Sequence, residues 1–235
     1  MDNSLAQFDE TTSTEAFALQ NAKLLKVSLR DVTIQAKLGS MVAYQGDVKF
    51  EHAGQGGMSR MLKKTMTGEG KSLMKIAGTG EVFLAETAQE IHVIHLANDK
   101  ITVNGANLLA FDAGIDWSIE RVQGMSAMMG GGLYNTALSG TGSVAILSDG
   151  PPVRLDVGSA PTFADPQAAI TWSSGVSTSM KTDSSLKSFV GRGSGESIQM
   201  AFSGQGWVLV QPSEGRPAPS AAGAAAGGLG GLLKG

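Results

Sequence analysis

One short pattern occurs three times in this chain and constrains its fold more than any other feature. Residues 70–84, 132–146 and 196–210 each carry an alternating strand-like run, a small residue, a Gly-x-Gly pair and a second strand-like run. The pairs are Gly78 and Gly80, Gly140 and Gly142, and Gly204 and Gly206, spaced 62 and 64 residues apart. A second block recurs in step with the first. Residues 41–50 (MVAYQGDVKF) lie over 108–117 (LLAFDAGIDW) without a gap, while 163–172 (FADPQAAITW) keeps only the Ile-x-Trp ending. Two block types in the same order three times signal internal duplication. Phe50, Trp117 and Trp172 close the second block and are expected to be equivalent core aromatics. The next Gly-x-Gly pair follows 28, 23 and 32 residues later, which leaves room for one loop of variable length in each unit.

Alternating apolar residues such as Leu25, Val27 and Leu29 mark strands, and the run Ile91–Leu96 reads as another. Such short runs recur along the chain, separated by Gly, Asn-Asp and Pro turns. That rhythm predicts an all-β sandwich or barrel. The expected layout is a flexible arm over 1–22, three β units over 23–96, 97–157 and 158–211, and a flexible Gly/Ala/Pro-rich tail over 212–235. Units of about 60 residues are marginal alone, so the three are expected to share one body.

Composition narrows the function classes. The net charge of −3 argues against an electrostatically driven nucleic-acid binder. Without cysteine there is neither a disulfide framework nor a thiolate metal site, which suits a reducing compartment. The N-terminus carries Asp2, Asp9, Glu10 and Glu15 before its first basic residue, Lys23, so neither a signal peptide nor a transit peptide is expected. No apolar run reaches 18 residues, so no transmembrane helix is expected. These features together point to a cytoplasmic protein, peripheral at a membrane if it meets one.

Residues 41–48 (MVAYQGDV), 67–70 (TGEG) and 78–82 (GTGEV) together resemble the altered-inheritance-of-mitochondria family of the protein twenty-four type, over about residues 23–211. The resemblance implies three tandem units, each a β-sandwich or short double-stranded β-helix like that of the tryptophan RNA-binding attenuation protein, in a pseudo-threefold body. It also implies that three chains close a ring, and that the protein acts beside a membrane. It implies no reaction and no cofactor.

The residues themselves offer little chemistry. His92 and His95 are three apart in an alternating run, so they face opposite sides of a strand and cannot share a metal. Each Gly-x-Gly pair is followed by a strand-like run and not a helix, which excludes a dinucleotide fingerprint; tight turns needing positive φ or close backbone approach account for the glycines. No Gly-x-Ser-x-Gly elbow or Ser-His-Asp ordering occurs. Catalytic, metal and cofactor residues are therefore all expected to be absent. Methionine clusters in the loops before the glycine pairs, with Met58, Met61 and Met66 in one and Met125, Met128 and Met129 in another. Methionine adapts to irregular apolar partners, so these six form a candidate interaction surface. Arg60, Lys63 and Lys64 make the densest basic cluster, but in one unit only.

The leading expectation is a non-enzymatic, oligomeric β scaffold, a homotrimer with itself as partner, acting on an unknown protein or membrane surface. The alternatives are a binder of a small apolar ligand and an RNA-binding ring; nucleic acid is the least expected partner.

Overall fold

A computed structural model describes residues 3–52, 66–67, 71–121, 134–182 and 198–213. Among the described residues fifteen strands run in order: β1 (Phe17–Asn21), β2 (Leu24–Lys37), β3 (Met41–His52), β4 (Met66–Thr67), β5 (Lys71–Leu84), β6 (Glu90–Asn104), β7 (Leu108–Asp112), β8 (Asp116–Arg121), β9 (Tyr134–Ser148), β10 (Val153–Asp156), β11 (Thr162–Ala164), β12 (Ala169–Ser173), β13 (Val176–Thr182), β14 (Ile198–Gly204) and β15 (Trp207–Val210). The only other regular segments among the described residues are short 3-10 turns at Asn3–Phe8 and Gly105–Asn107.

The fold is two sheets with no closed barrel among the described residues. The larger follows the path β10-β15-β12-β6-β9-β7-β2-β5-β3, with β1, β4 and β8 pairing off it; the smaller is β11-β14-β13. The path ends at β10 on one side and at β3 on the other. Every pairing recorded is antiparallel.

Alternation along the strands decides what is buried. Leu25, Val27 and Leu29 on β2 all point inward, and with Ile34, Ile76, Val82 and Leu84 they form one core cluster. A second cluster gathers Ile101, Phe111, Leu138, Val144 and Ile146, and a third gathers Val157, Trp172, Met200, Phe202 and Val208. Burying such side chains contributes roughly 1.5–3 kcal/mol each.

The glycine pairs do not reverse the chain, contrary to the turn role expected of them. Gly78 and Gly80 lie inside the continuous β5, and Gly140 and Gly142 inside β9. Only at Gly204 and Gly206 does the chain break, passing from β14 in the small sheet to β15 in the large one. At Gly78 and Gly80 the neighbouring strand β3 comes too close for a side chain. A Cβ on Gly78 would run into the carbonyl oxygen of Asp47, and one on Gly80 into that of Gln45. All six also have φ between 110° and 152°, a region closed to most side chains.

A bulge accompanies each of the first two pairs. Leu29 and Arg30 stand opposite Gly80 and Thr79, then Asp31 is left over, and Val32 stands opposite Gly78. Leu96 and Ala97 stand opposite Gly142 and Thr141, then Asn98 is left over, and Asp99 stands opposite Gly140. The two extra residues have φ of 57° and 58°, which Asp and Asn tolerate better than most. Both bulges are tied to the threonine between the glycines. Thr79 Oγ1 donates to Asp31 Oδ1 at 3.0 Å, and the Asn98 backbone N–H donates to Thr141 Oγ1 at 3.0 Å.

Several expected boundaries move. Residue 96 falls inside β6, so no unit ends there. The strand β10 precedes residue 157, the expected end of the second unit, and pairs with β15. The N-terminal segment is not a free arm: β1 pairs with β2, and Phe17 and Ala18 are buried. The tail from 214 onward lies outside the described residues.

Candidate functional site

The strands β3, β7 and β12 each carry an aromatic opposite a valine. Tyr44 stands opposite Val82, Phe111 opposite Val144 and Trp172 opposite Val208; these valines lie four residues beyond Gly78, Gly140 and Gly204. This corrects the expected equivalence of Phe50, Trp117 and Trp172. Phe50 and Trp117 do match, standing opposite Ile76 and Leu138. The residue opposite the matching Phe202 is Thr178, not Trp172. The ring partner has changed strand in the third block. Tyr44 meets Phe50 edge-on at 5.2 Å, Phe111 meets Trp117 at 6.2 Å, and Trp172 meets Phe202 at 5.8 Å. Trp172 is buried, whereas Phe50 and Trp117 are half-buried against their clusters. Sequence alignment missed the shift because it read along one strand, while the aromatic contact forms between two.

Exposure separates these positions sharply. Phe111 and Trp172 are 0% and 4% exposed, but Tyr44 is 49% exposed. The preceding pair behaves likewise. Leu109 and Ile170 are fully buried, and Val42, which occupies the same bulge beside the strand start, is exposed. Val153 is exposed on β10, at the opposite end of the large sheet, and Phe163 is exposed on β11, an edge of the small sheet. Lys181 sits 4.5 Å over the Phe163 ring. Exposed apolar side chains therefore lie on three edge strands of the described residues: β3 and β10 in the large sheet and β11 in the small one. Unpaired apolar edges invite strand pairing.

Polar groups in the interior serve the fold. Lys26 is nearly buried and reaches Glu81 at 3.1 Å and Glu10 at 3.5 Å, and it donates to the Thr11 carbonyl at 3.2 Å. Burial alone pushes its pKa down, but the hydrogen bonds and charges of Glu81 and Glu10 outweigh that and raise it. Glu81 is held below the usual carboxylate range by hydrogen bonding to Glu10 and Lys26, against the opposing effect of burial. Gln45 also donates to Glu10, at 3.0 Å. The N-terminal segment is thus pinned onto β2, β3 and β5. Lys37, 2% exposed, donates to the Ala106 carbonyl at 3.1 Å and pairs with Glu86 at 3.5 Å, which ties the end of β2 to the turn before β7.

His92 lies 2.8 Å from Ser148 Oγ through Nε2. The serine hydroxyl donates to the Gly150 carbonyl at 2.7 Å, so Nε2 carries the proton in that contact. Burial pushes the imidazole pKa down, partly offset by the Glu90 charge. His95 contacts Ser143 separately, at 3.2 Å. Among the described residues no three His, Asp or Glu side chains gather as a metal site. Met58, Met61, Met125, Met128 and Met129 lie outside the described residues, as does the basic cluster. Met66 is in β4, opposite Ser72.

Residues 17–213 match the model of the family described as mitochondrial biogenesis AIM24. This chain belongs to the AIM24 family. The match begins at β1, in agreement with its place in the core. The fold is similar to that of a Streptococcus pyogenes protein solved by X-ray crystallography in a structural genomics programme. The TM-score is 0.67 at 20% identity, covering 83% of this chain and 91% of that one. No curated protein matches the chain. No described helix of this AIM24 member is long and apolar enough to cross a membrane.

Proposed function

We propose that this AIM24 member is a non-enzymatic, self-associating β scaffold built from three tandem copies of one unit, residues 24–84, 90–148 and 153–210. The carrying observation is a register shared by all three. The residue opposite the third position after the first glycine is Ser28, His95 or Asp156. The residue opposite the second position before it is Ile34, Ile101 or Thr162, six residues later in every case. The large sheet has the same internal order in each copy: first strand, third strand, second strand.

Such a chain has a head and a tail. Each copy offers its first strand to the second strand of the next, through β2 with β7 and through β6 with β12. Among the described residues the last first strand, β10 with β11, and the first second strand, β3, lack a pairing of this kind. Head-to-tail contacts of this kind close into rings when the rotation permits. The number of chains, three, comes from the family resemblance. An interaction role fits the candidate site, whose notable features are apolar edges and not convergent reactive groups.

Sedimentation velocity over a hundredfold range of micromolar concentrations tests the reading. One oligomeric species throughout supports it; a monomer throughout, with its strand content intact, removes it.

A further inference from the structure

The repeated register fixes which residues meet when one chain joins the next. At the first junction Ile34, Gln35 and Ala36 stand opposite Asp112, Phe111 and Ala110. At the second, Ile101, Thr102 and Val103 stand opposite Ser173, Trp172 and Thr171. A backbone bond flanks each at the same place: Ala113 N donates to Thr33 O at 3.1 Å, and Ser174 N donates to Lys100 O at 3.1 Å. The first-strand residues of the third copy at these places are Thr162, Phe163 and Ala164. They stand opposite Phe202, Ala201 and Met200, as Ile34, Gln35 and Ala36 stand opposite Ile76, Lys75 and Met74. They make up the whole of β11, which is an edge of the small sheet. The second-strand residues of the first copy are Gln45, Tyr44 and Ala43, on the outer edge of β3.

We propose that β11 of one chain pairs antiparallel with β3 of a second copy, Thr162 opposite Gln45, Phe163 opposite Tyr44 and Ala164 opposite Ala43. This rests on the reading of the chain as three tandem copies and adds the surface and the register. Burial supports the occupant. Positions that are fully buried at the two internal junctions, Leu109, Ala110, Ile170 and Thr171, correspond to Val42 and Ala43, which are exposed at the free edge. A second copy restores to Val42, Ala43 and Tyr44 the cover that their counterparts already have. The flanking bond becomes Gly46 N to Pro161 O. Proline lacks an N–H, but the role repeated at that position in both internal junctions, accepting through the carbonyl, is open to it, and edge strands tolerate proline.

The flanking bond places residues 33 and 113 in a hydrogen-bonded pair, so 36 and 110 form a non-hydrogen-bonded pair, with Cα atoms about 4.5 Å apart. The proposal gives Ala43 and Ala164 the same relation, within disulfide reach of about 4.4–6.8 Å. The chain has no cysteine, so the background is clean. Ala43→Cys with Ala164→Cys, oxidised and run without reductant, is expected to give covalent multiples of the chain. Neither single variant should do so, and Tyr44→Cys with Ala164→Cys should not, because those side chains face opposite sides. A second measurement covers any folding defect: Val42→Lys with Tyr44→Lys is expected to shift the sedimenting mass to that of one chain without changing the circular dichroism. A wild-type oligomer in which the Ala43 and Ala164 cysteines stay unlinked, or link within one chain, overturns the register while the scaffold reading stands. A monomeric wild type overturns both.

Discussion

Phe111 and Tyr44 occupy the same register, each opposite the valine four residues beyond the first glycine of a pair, yet Phe111 is wholly buried and Tyr44 is half exposed. The difference follows from the neighbours. Beside Phe111 lies β2, with Gln35 opposite; beside Tyr44 the sheet ends. Substituting each residue by alanine is expected to separate folding from assembly. Phe111→Ala should cost about 3–5 kcal/mol of chain stability, as large buried rings do. Tyr44→Ala should cost about 1 kcal/mol, chiefly the edge-on contact with Phe50, but raise the dissociation constant of the assembly at least about tenfold. Urea unfolding of dilute protein and sedimentation equilibrium read the two effects.

Gly78 tests the close crossing of β3 and β5. Its φ is 126° and a Cβ would collide with the Asp47 carbonyl. Gly78→Ala should lose about 2 kcal/mol or more, because both backbone strain and the collision act. Gly114→Ala, with open space around its Cβ, should stay within about 0.5 kcal/mol of wild type. Equal midpoints for the two in thermal unfolding would contradict the assignment.

The ion cluster at Lys26 gives a pH signature. The raised lysine contributes stability that is present below its ordinary value near 10.5 and is lost as pH rises through its folded value. The depressed Glu81 contributes stability that is present above about 4.5 and is lost as pH falls through its lower folded value. Lys26→Met should therefore destabilise the protein by roughly 1–2 kcal/mol near neutrality, a modest figure because both carboxylates are partly in water. The stability profile should also flatten at its acid and alkaline ends. Denaturant titrations from pH 4 to 11 check this.

His92 acts in the opposite sense. Its folded pKa is lowered, so the unfolded chain takes up a proton first as pH falls below about 6.5. Stability should drop across the window from there to the folded value, by no more than about 1.4 kcal/mol per pH unit. His92→Gln should remove that slope while keeping a donor for Ser148.

Strand content and the periodic glycines were legible because both are local. A strand shows in alternation, and a glycine at a crowded or left-handed position shows as an unreplaced residue. Their role was not legible. A turn and a bulged crossing make the same local demand for Gly-x-Gly, and only pairing with β2 and β3, some 30 to 50 residues away in sequence, tells them apart. Trp172 was misplaced for the same reason, since its partner ring, Phe202, lies on another strand. The core role of Phe17 was hidden behind a polar, Thr-rich stretch that reads as an arm. The exposed edge at Val42 and Tyr44 has no signature in one strand, where it resembles the buried Leu109 and Phe111.

The most direct test of the whole account is native mass spectrometry of the full, untagged chain at micromolar concentration. The account predicts one dominant assembly of three chains that persists on tenfold dilution. Single chains at every concentration, in protein whose circular dichroism reports the full strand content, would contradict it.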